Sequence, residues 1–420
     1  MNDVESTSIT DLSTPALEQP IETSGLGQWM SVFAVALGAF AFVTTEYLPV
    51  GILPQIASEL GVTDGTAGLM VTIPGIVAAI SAPTVMIGAG KVNRRHLLIL
   101  LAMLLVASNL ISAMAPNLLT MLLGRGLLGV ALGGFWAIAI AAAGRLVTRD
   151  KAAKATAIIF AGITFATVLG VPFGTFISTL FSWRASFLAT AALALIALAA
   201  QMMTLPSLAA NESLQVKTLL RYLGKNSTQR SILLMGLIIA AHFASYTYIA
   251  PFLVQRAGFS ASGITLTLLG FGVLGMLANF LVSASVTRHL QLSLAGAVLL
   301  MIASLVSLPL VVDNGARVVD SGAGVIAAVL VWGVAYGAIP LALSTWMQLT
   351  SPQLPEASSA MLVTTFQIAI ASGSLLGGMI VDGYGIEPTL FFGAVLGGLG
   401  LVAMATFGLG HDRLINKLQC

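Results

Sequence analysis

Apolar runs of roughly 20 residues recur along this chain, each closed by charged residues or by Pro/Gly punctuation. They cover 29–53, 66–88, 97–114, 118–143, 155–179 and 185–205, and then 231–254, 263–286, 291–311, 322–345, 357–380 and 389–409. Coiled as helix at 1.5 Å per residue, about 20 residues cross the roughly 30 Å of hydrocarbon in a bilayer. The pattern therefore predicts an all-α integral membrane protein with twelve transmembrane helices. A polar stretch, PSLAANESLQVKTLLRYLGKNSTQR, separates the sixth run from the seventh. The expected organisation is a disordered tail over 1–28, a six-helix half over 29–205, a linker over 206–230, a second six-helix half over 231–410 and a tail over 411–420.

A faint internal repeat supports two related halves. Pro54 precedes Gly61-Val62-Thr63 by seven residues, and Pro251 precedes Gly258-Phe259-Ser260 by the same distance. The two strings lie about half the chain apart, as pseudo-symmetric halves require.

Composition agrees with the bilayer as solvent. Of the 420 residues, 57% are hydrophobic and 8% charged, and mean hydropathy is +0.99. Soluble domains carry about 25% charged residues, so a cytosolic enzyme is excluded. The single cysteine, Cys420, offers no intrachain disulfide. The acidic first 28 residues carry no Lys or Arg, unlike a cleaved signal peptide. Basic residues set orientation, because Lys and Arg are retained on the cytoplasmic side. With the tail inside, 14 of the 18 fall on cytoplasmic loops and the C-terminal tail, against Arg184, Arg256 and Arg317 outside and Arg125 within a span. An even number of spans with both termini cytoplasmic follows.

Glu46 is the one acidic residue inside an expected span, and Arg125 enters span 4 to matching depth. Charges in hydrocarbon are expensive and mark function by default. Each is expected to find the other or a wet cavity, either as a fixed structural pair or as a proton switch whose separation changes proton affinity at Glu46. Pro49 removes the helical donor to the carbonyl of Thr45, which then needs another partner. On span 4, Gly129 and Gly133 share a face with Arg125 and suit close helix packing, while Trp136 is either a cavity residue or core filler. Gly170, Pro172 and Gly174 give span 5 a bent, closely packed form. On span 7, His242, Ser245 and Tyr246 share a face, with Tyr248 pointing elsewhere. His242 is either a proton relay or a hydrogen-bonded interior residue. Pro251 frees the carbonyl of Thr247 in the same way. Trp332, Tyr336 and Pro340 form a stripe on span 10, with Gln367 on span 11 and Asn109 and Asn279 as scattered polar groups. These aromatic and amide groups, Trp136 included, are candidates for lining a cavity suited to a neutral, partly planar solute. The alternative is lipid-facing aromatics, Trp346 above all. No phosphate-binding loop, metal-spaced His or Cys set or nucleophile elbow is present, so neither cofactor nor metal is expected, and nor is catalysis.

The six-plus-six plan together with TTEYLPVGILP, GRGLLGVALGGFWA, LGVPFG and SWRASF resembles the major facilitator superfamily, in its branch of drug and metabolite proton antiporters. GRGLLGVALGGFWA, AGFSASGITLTLLGFG and IPLALSTWM are similar to the purine ribonucleoside efflux pump family, whereas HFASYTYIAPF looks more like the sugar efflux transporters. The resemblance implies the twelve-helix major facilitator fold and proton-coupled export of small organic solutes, purine nucleosides first and sugars or drugs as alternatives, from a bacterial inner membrane. An uncoupled facilitator or proton symporter remains the other transport reading, and a membrane enzyme or sensor the other class. Glu46 matches the acidic position of the family's span 1 motif, Arg125 the span 4 arginine associated with proton transfer, and Gly170, Pro172 and Gly174 the span 5 antiporter motif, with Val171 inserted before the proline. Gly90 in GAGKVNRRH stands where the family's loop carries Asp beside a basic cluster, here Lys91, Arg94 and Arg95. Expected partners are the solute, protons and membrane lipids, with no nucleic acid, and each chain working as a monomer.

Overall fold

The computed structural model describes residues 25–88, 90, 92–208, 216–313, 318–350 and 355–408. Among these the backbone is helical apart from short connections, with no strand, and twelve helices are long and apolar enough to cross a membrane. The first six spans are α1 (Gly25–Leu60), α2 with α3 (Asp64–Ala67, Leu69–Gly88), α4 (Arg94–Ala113), α5 (Leu118–Leu146), α6 (Ala152–Leu180) and α7 (Trp183–Thr204). A short helix, α8 (Val216–Leu223), lies in the linker region. The last six spans are α9 with α10 (Asn226–Tyr246, Ile249–Gln255), α11 (Ala261–Arg288), α12 (Leu290–Asp313), α13 (Val318–Thr350), α14 (Pro355–Tyr384) and α15 (Ile386–Gly408).

Several helix ends differ from the hydropathy reading because helices outlast their apolar stretch. α1 begins four residues before Trp29 and runs to Leu60, through Pro49 and Pro54. Part of the polar linker is helix, anchored by buried Tyr222, whose hydroxyl donates to Ser358 Oγ of α14 at 3.3 Å. Of the expected tail over 1–28, positions 1–24 lie outside the described residues, as do the whole expected tail over 411–420 and the linker positions 209–215.

Helices that are apolar all round cannot choose partners by hydrophobicity in lipid, so small residues that admit a neighbouring backbone decide the packing. Gly129 and Gly133 of α5 face the backbone of Pro74 and Ala78 in α3, and Gly333 and Gly337 of α13 face that of Phe271 and Gly275 in α11. Gly170 and Gly174 of α6 lie on Thr44 and Leu48 of α1, and Gly373 and Gly377 of α14 lie on Ala240 and Ala244 of α9. Span 4 thus packs on span 2 as span 10 does on span 8, and span 5 on span 1 as span 11 does on span 7. A Cβ at any of these glycines would meet backbone or a packed side chain, so the two halves repeat one packing scheme.

The repeat seen in the sequence is a helix end followed by a helix start. Gly61 and Gly258 sit at φ +65° and +67°, left-handed values that suit glycine. Val62 N–H closes the first end on Ala57 O at 3.0 Å, the 6→1 bond of a Schellman cap. Thr63 and Ser260 then cap the following helices, accepting from Thr66 N–H and Gly263 N–H. Basic residues at this end are neutralised locally. Arg184 pairs with Glu59, which also accepts from Trp183 Nε1 at 2.6 Å, and Arg256 pairs with Glu387.

Candidate functional site

Arg125 and Glu46 are both buried, yet their side chains do not form the expected ion pair. The guanidinium instead serves backbone. Its Nη1 donates to Thr45 O at 2.8 Å, its Nη2 to Glu46 O at 2.9 Å and its Nε to Met70 O at 2.7 Å. Two of these acceptors are carbonyls that a proline has orphaned: Pro49 cannot donate to Thr45 O, nor Pro74 to Met70 O. A planar fork with five donors reaches all three at once. Arg125 therefore ties α5 to the proline-broken turns of α1 and α3. Behind it, Thr45 Oγ1 accepts from Asn109 Nδ2 of α4 at 3.2 Å, and Asn109 Oδ1 accepts from Thr190 of α7 at 2.7 Å.

The carboxylate of Glu46 looks across to the other half, accepting from Gln367 Nε2 of α14 at 3.0 Å. Gln367 Oε1 is buried without a partner. Tyr47, next to Glu46, stacks on Phe243 of α9 with ring centroids 5.8 Å apart. This contact leads into an aromatic cluster in the second half. His242 lies flat on Tyr336 at 3.4 Å and 7°, and touches Tyr246, Phe271 and Trp332. His242 Nδ1 and Trp332 Nε1 are also buried without partners. Phe243 also meets Tyr336 edge-on, with centroids 6.3 Å apart, so the ring next to Glu46 is continuous with the cluster.

Of the other sequence candidates, Ser245 turns away from His242 and donates to Thr389 O of α15 at 3.4 Å, because its offset of three residues carries it around the helix to that neighbour. Trp136 is half-buried and packs edge-on against Phe135, 5.9 Å away, at the margin of the apolar core of the first half. Gly129, Gly133, Gly170 and Gly174 are the packing contacts described above. Asn279 donates to Gly337 O at 2.9 Å. Trp346 is buried rather than facing lipid, being enclosed in the core of the second half.

Hydropathy gave no sign of a second group of residues, which joins the halves at the Leu60 end of α1. Asp382 of α14 accepts from Gly65 N–H at 2.9 Å, Thr63 Oγ1 at 2.7 Å and Thr66 Oγ1 at 3.3 Å. Gln255 donates to Asp64 at 2.6 Å. Span 7 breaks at Thr247 and Tyr248, where Pro251 withholds its donor, and Ser374 of α14 meets both residues: Thr247 Oγ1 at 2.8 Å through its hydroxyl, and Tyr248 O–H at 2.7 Å through its carbonyl. The Tyr248 ring lies in a seat made by Gly68, Gly377 and Gly378, where a side chain would displace it. Five hydrogen bonds between the halves are thus placed, four at this end and one at Glu46.

A sequence model of the Major Facilitator Superfamily matches residues 35–361. Among curated proteins, the chain is 34% identical over 374 residues to the purine ribonucleoside efflux pump NepI of Salmonella paratyphi A, covering 89% of this chain and 92% of the relative. It is also 34% identical over 374 residues to the transcription regulatory protein OpdE of Pseudomonas aeruginosa, covering 88% and 91%. Solved structures with the same fold include an inward-facing, unoccupied bacterial homologue of the human lysosomal transporter Spinster, at TM-score 0.71 and 13% identity over 93% of this chain and 99% of that one. A transporter of the POT family in complex with 5-aminolevulinic acid matches at TM-score 0.72 and 13% identity, over 93% and 96%. Twelve apolar helices in two matching halves and a family match across most of their length lead to one conclusion: the chain belongs to the major facilitator superfamily and is a multi-pass membrane transporter, not an enzyme.

Proposed function

We propose that this protein is a proton-coupled exporter of purine ribonucleosides or related planar metabolites, working as a monomer in a bacterial inner membrane. The observation that carries the coupling is the position of Glu46. Its carboxylate is buried, Arg125 spends its donors on backbone carbonyls, and the group that does meet Glu46 is the neutral amide of Gln367 on the opposite half. A buried carboxylate with no ion partner, held across the interface that must open and close, is suited to exchange a proton once per cycle. The substrate class is supported by the name of the Salmonella relative and by the aromatic cluster around His242, whose flat faces and unpartnered nitrogens suit a nucleobase.

Residues 29–205 and 231–410 are the two halves that rock about this layer. Both termini lie in the cytoplasm, where most Lys and Arg gather. The Leu60 end is then the outside, latched shut by Asp382, and the conformation is closed to the outside. In the proposed cycle, substrate binds from the cytoplasm with Glu46 ionised, the latch opens, a proton from outside reaches Glu46 and substrate leaves.

Everted membrane vesicles with an imposed proton gradient test this. Tritiated adenosine should accumulate in vesicles carrying the native protein and not in those carrying Glu46→Gln. Undiminished gradient-driven uptake by the variant would overturn the coupling. Accumulation of sugars or lipophilic drugs but not adenosine would overturn the substrate class, and no flux of any solute would favour the regulatory role that the Pseudomonas relative's name describes.

A further inference from the structure

Gln367 joins the one acidic side chain in the midmembrane layer to the half of the protein that carries the aromatic cluster, and only one end of its amide is in use. Resting on the proton coupling at Glu46 proposed above, we propose that Gln367 is a positioning residue that converts the protonation state of Glu46 into the hydrogen-bonding polarity offered to substrate.

Donors and acceptors decide what each protonation state of Glu46 offers. An ionised carboxylate only accepts, whereas a protonated one also donates; a primary amide has an NH₂ that only donates and a carbonyl that only accepts. Here the NH₂ of Gln367 is committed to Glu46, which suits the ionised acid, and its carbonyl is buried and unpartnered. Leaving a buried acceptor unmade is unfavourable. A solute with an N–H directed at that oxygen removes the penalty. Two further unpartnered atoms, both in the aromatic cluster, Trp332 Nε1 as a donor and His242 Nδ1 on a ring that stacks flat, select a planar heterocycle that carries acceptors as well as an N–H.

When Glu46 gains a proton, its O–H is best satisfied by the Gln367 carbonyl, so the amide turns about its terminal torsion, which is soft. The NH₂ then faces the solute's N–H, donor against donor, and the solute is released. Proton and substrate thus exclude one another without the substrate touching Glu46, as exchange of one for the other requires. Other titratable groups around Glu46 are Arg125 on α5, Tyr47 on α1, Tyr336 on α13, and Tyr246 with His242 on α9. Arg125 is held by backbone carbonyls, and none of these is in place to read the carboxyl proton as Gln367 is.

Infrared difference spectroscopy on the purified full-length protein, with isotope-labelled glutamine side chains, tests the amide directly. As pH falls, the Gln367 carbonyl band should shift in step with the appearance of a protonated carboxyl band, and both changes should vanish in Glu46→Gln. The glutamine change alone should vanish in Gln367→Met, which keeps the length of the side chain without its polarity. Tritiated adenosine should bind about tenfold more weakly at acid pH to the native protein, and Gln367→Met should bind it with an affinity that no longer varies with pH. A carboxyl band that titrates while the glutamine band stays constant overturns this proposal and leaves the coupling at Glu46 intact, as does full pH dependence in Gln367→Met. Absence of a titrating carboxyl assigned to Glu46 overturns the coupling itself. Should Gln367→Met fail to fold, the spectra of the native protein and Glu46→Gln decide alone.

Discussion

Arg125 shows how a residue picked out by its charge turns out to act through its shape. The sequence placed a guanidinium and a carboxylate at equal depth, and the economical inference was a pair. The needy carbonyl that Pro49 leaves at Thr45 is readable in the sequence, but its pairing with Arg125, and the second such carbonyl that Pro74 leaves at Met70, are not. A lysine at position 125 keeps the charge but cannot reach three acceptors on two helices. Arg125→Lys should therefore lower stability by about 1–3 kcal/mol for each carbonyl left unmade, read as a fall in the thermal unfolding midpoint in detergent. Adding Pro74→Ala to that variant restores an N–H to Met70 O and should recover part of the loss. If the double variant melts no higher than Arg125→Lys alone, the clamp does not act through the orphaned carbonyl. Glu46, Gln367, His242 and Tyr336 were all legible as candidates because polar groups are scarce in these spans. Which atom meets which was not legible, since it depends on helix rotation that an all-round apolar sequence leaves open.

Among the helices, the sequence determined existence and order well and their ends poorly. Hydropathy measures the part of a helix that lies in hydrocarbon, so it misses the polar turns by which α1 runs to Leu60 and the linker forms α8. The repeated Gly-x-Thr/Ser string was readable and corresponds to one local device used twice. Alanine at Gly61 or Gly258 forces a Cβ into left-handed backbone, which costs roughly 1–2 kcal/mol. Each variant should melt lower by a similar amount. Gly236→Ala, on a helix face with nothing within 4 Å of the added Cβ, should be neutral or slightly stabilising. A larger loss at Gly236 than at Gly61 would contradict the assignment. The glycine pairs of α6 and α14 escaped the sequence comparison because neither flanking context nor proline is repeated: Pro172 stands between Gly170 and Gly174, and Leu375 between Gly373 and Gly377. Only their common seats on α1 and α9 reveal the correspondence.

Across the whole molecule, the contacts between the halves at the Leu60 end of α1 are the latch of the proposed cycle. Asp382 holds three donors of the α2 turn, and Tyr248 fills the glycine seat beneath them. With spin labels at Val62→Cys and Gly383→Cys in a Cys420→Ser background, Asp382→Ala should move the distance distribution toward longer values. An unchanged distribution would mean that the seal rests on Tyr248 and helix packing without the carboxylate. Twelve spans and two related halves were determined by the sequence alone, as was the scarcity of membrane charge that singles out Glu46 and Arg125. Hydrocarbon imposes those features residue by residue, through transfer energy and the need to satisfy every backbone group inside a helix. The partner of Glu46, the release of Arg125 to backbone carbonyls, the gathering of His242 with Tyr336 and Trp332, and the latch at Asp382 were decided only by tertiary structure. Each joins positions far apart in the chain, some more than 300 residues apart, and hydrogen bonds of that kind are fixed by how helices rotate and abut, which apolar periodicity does not encode.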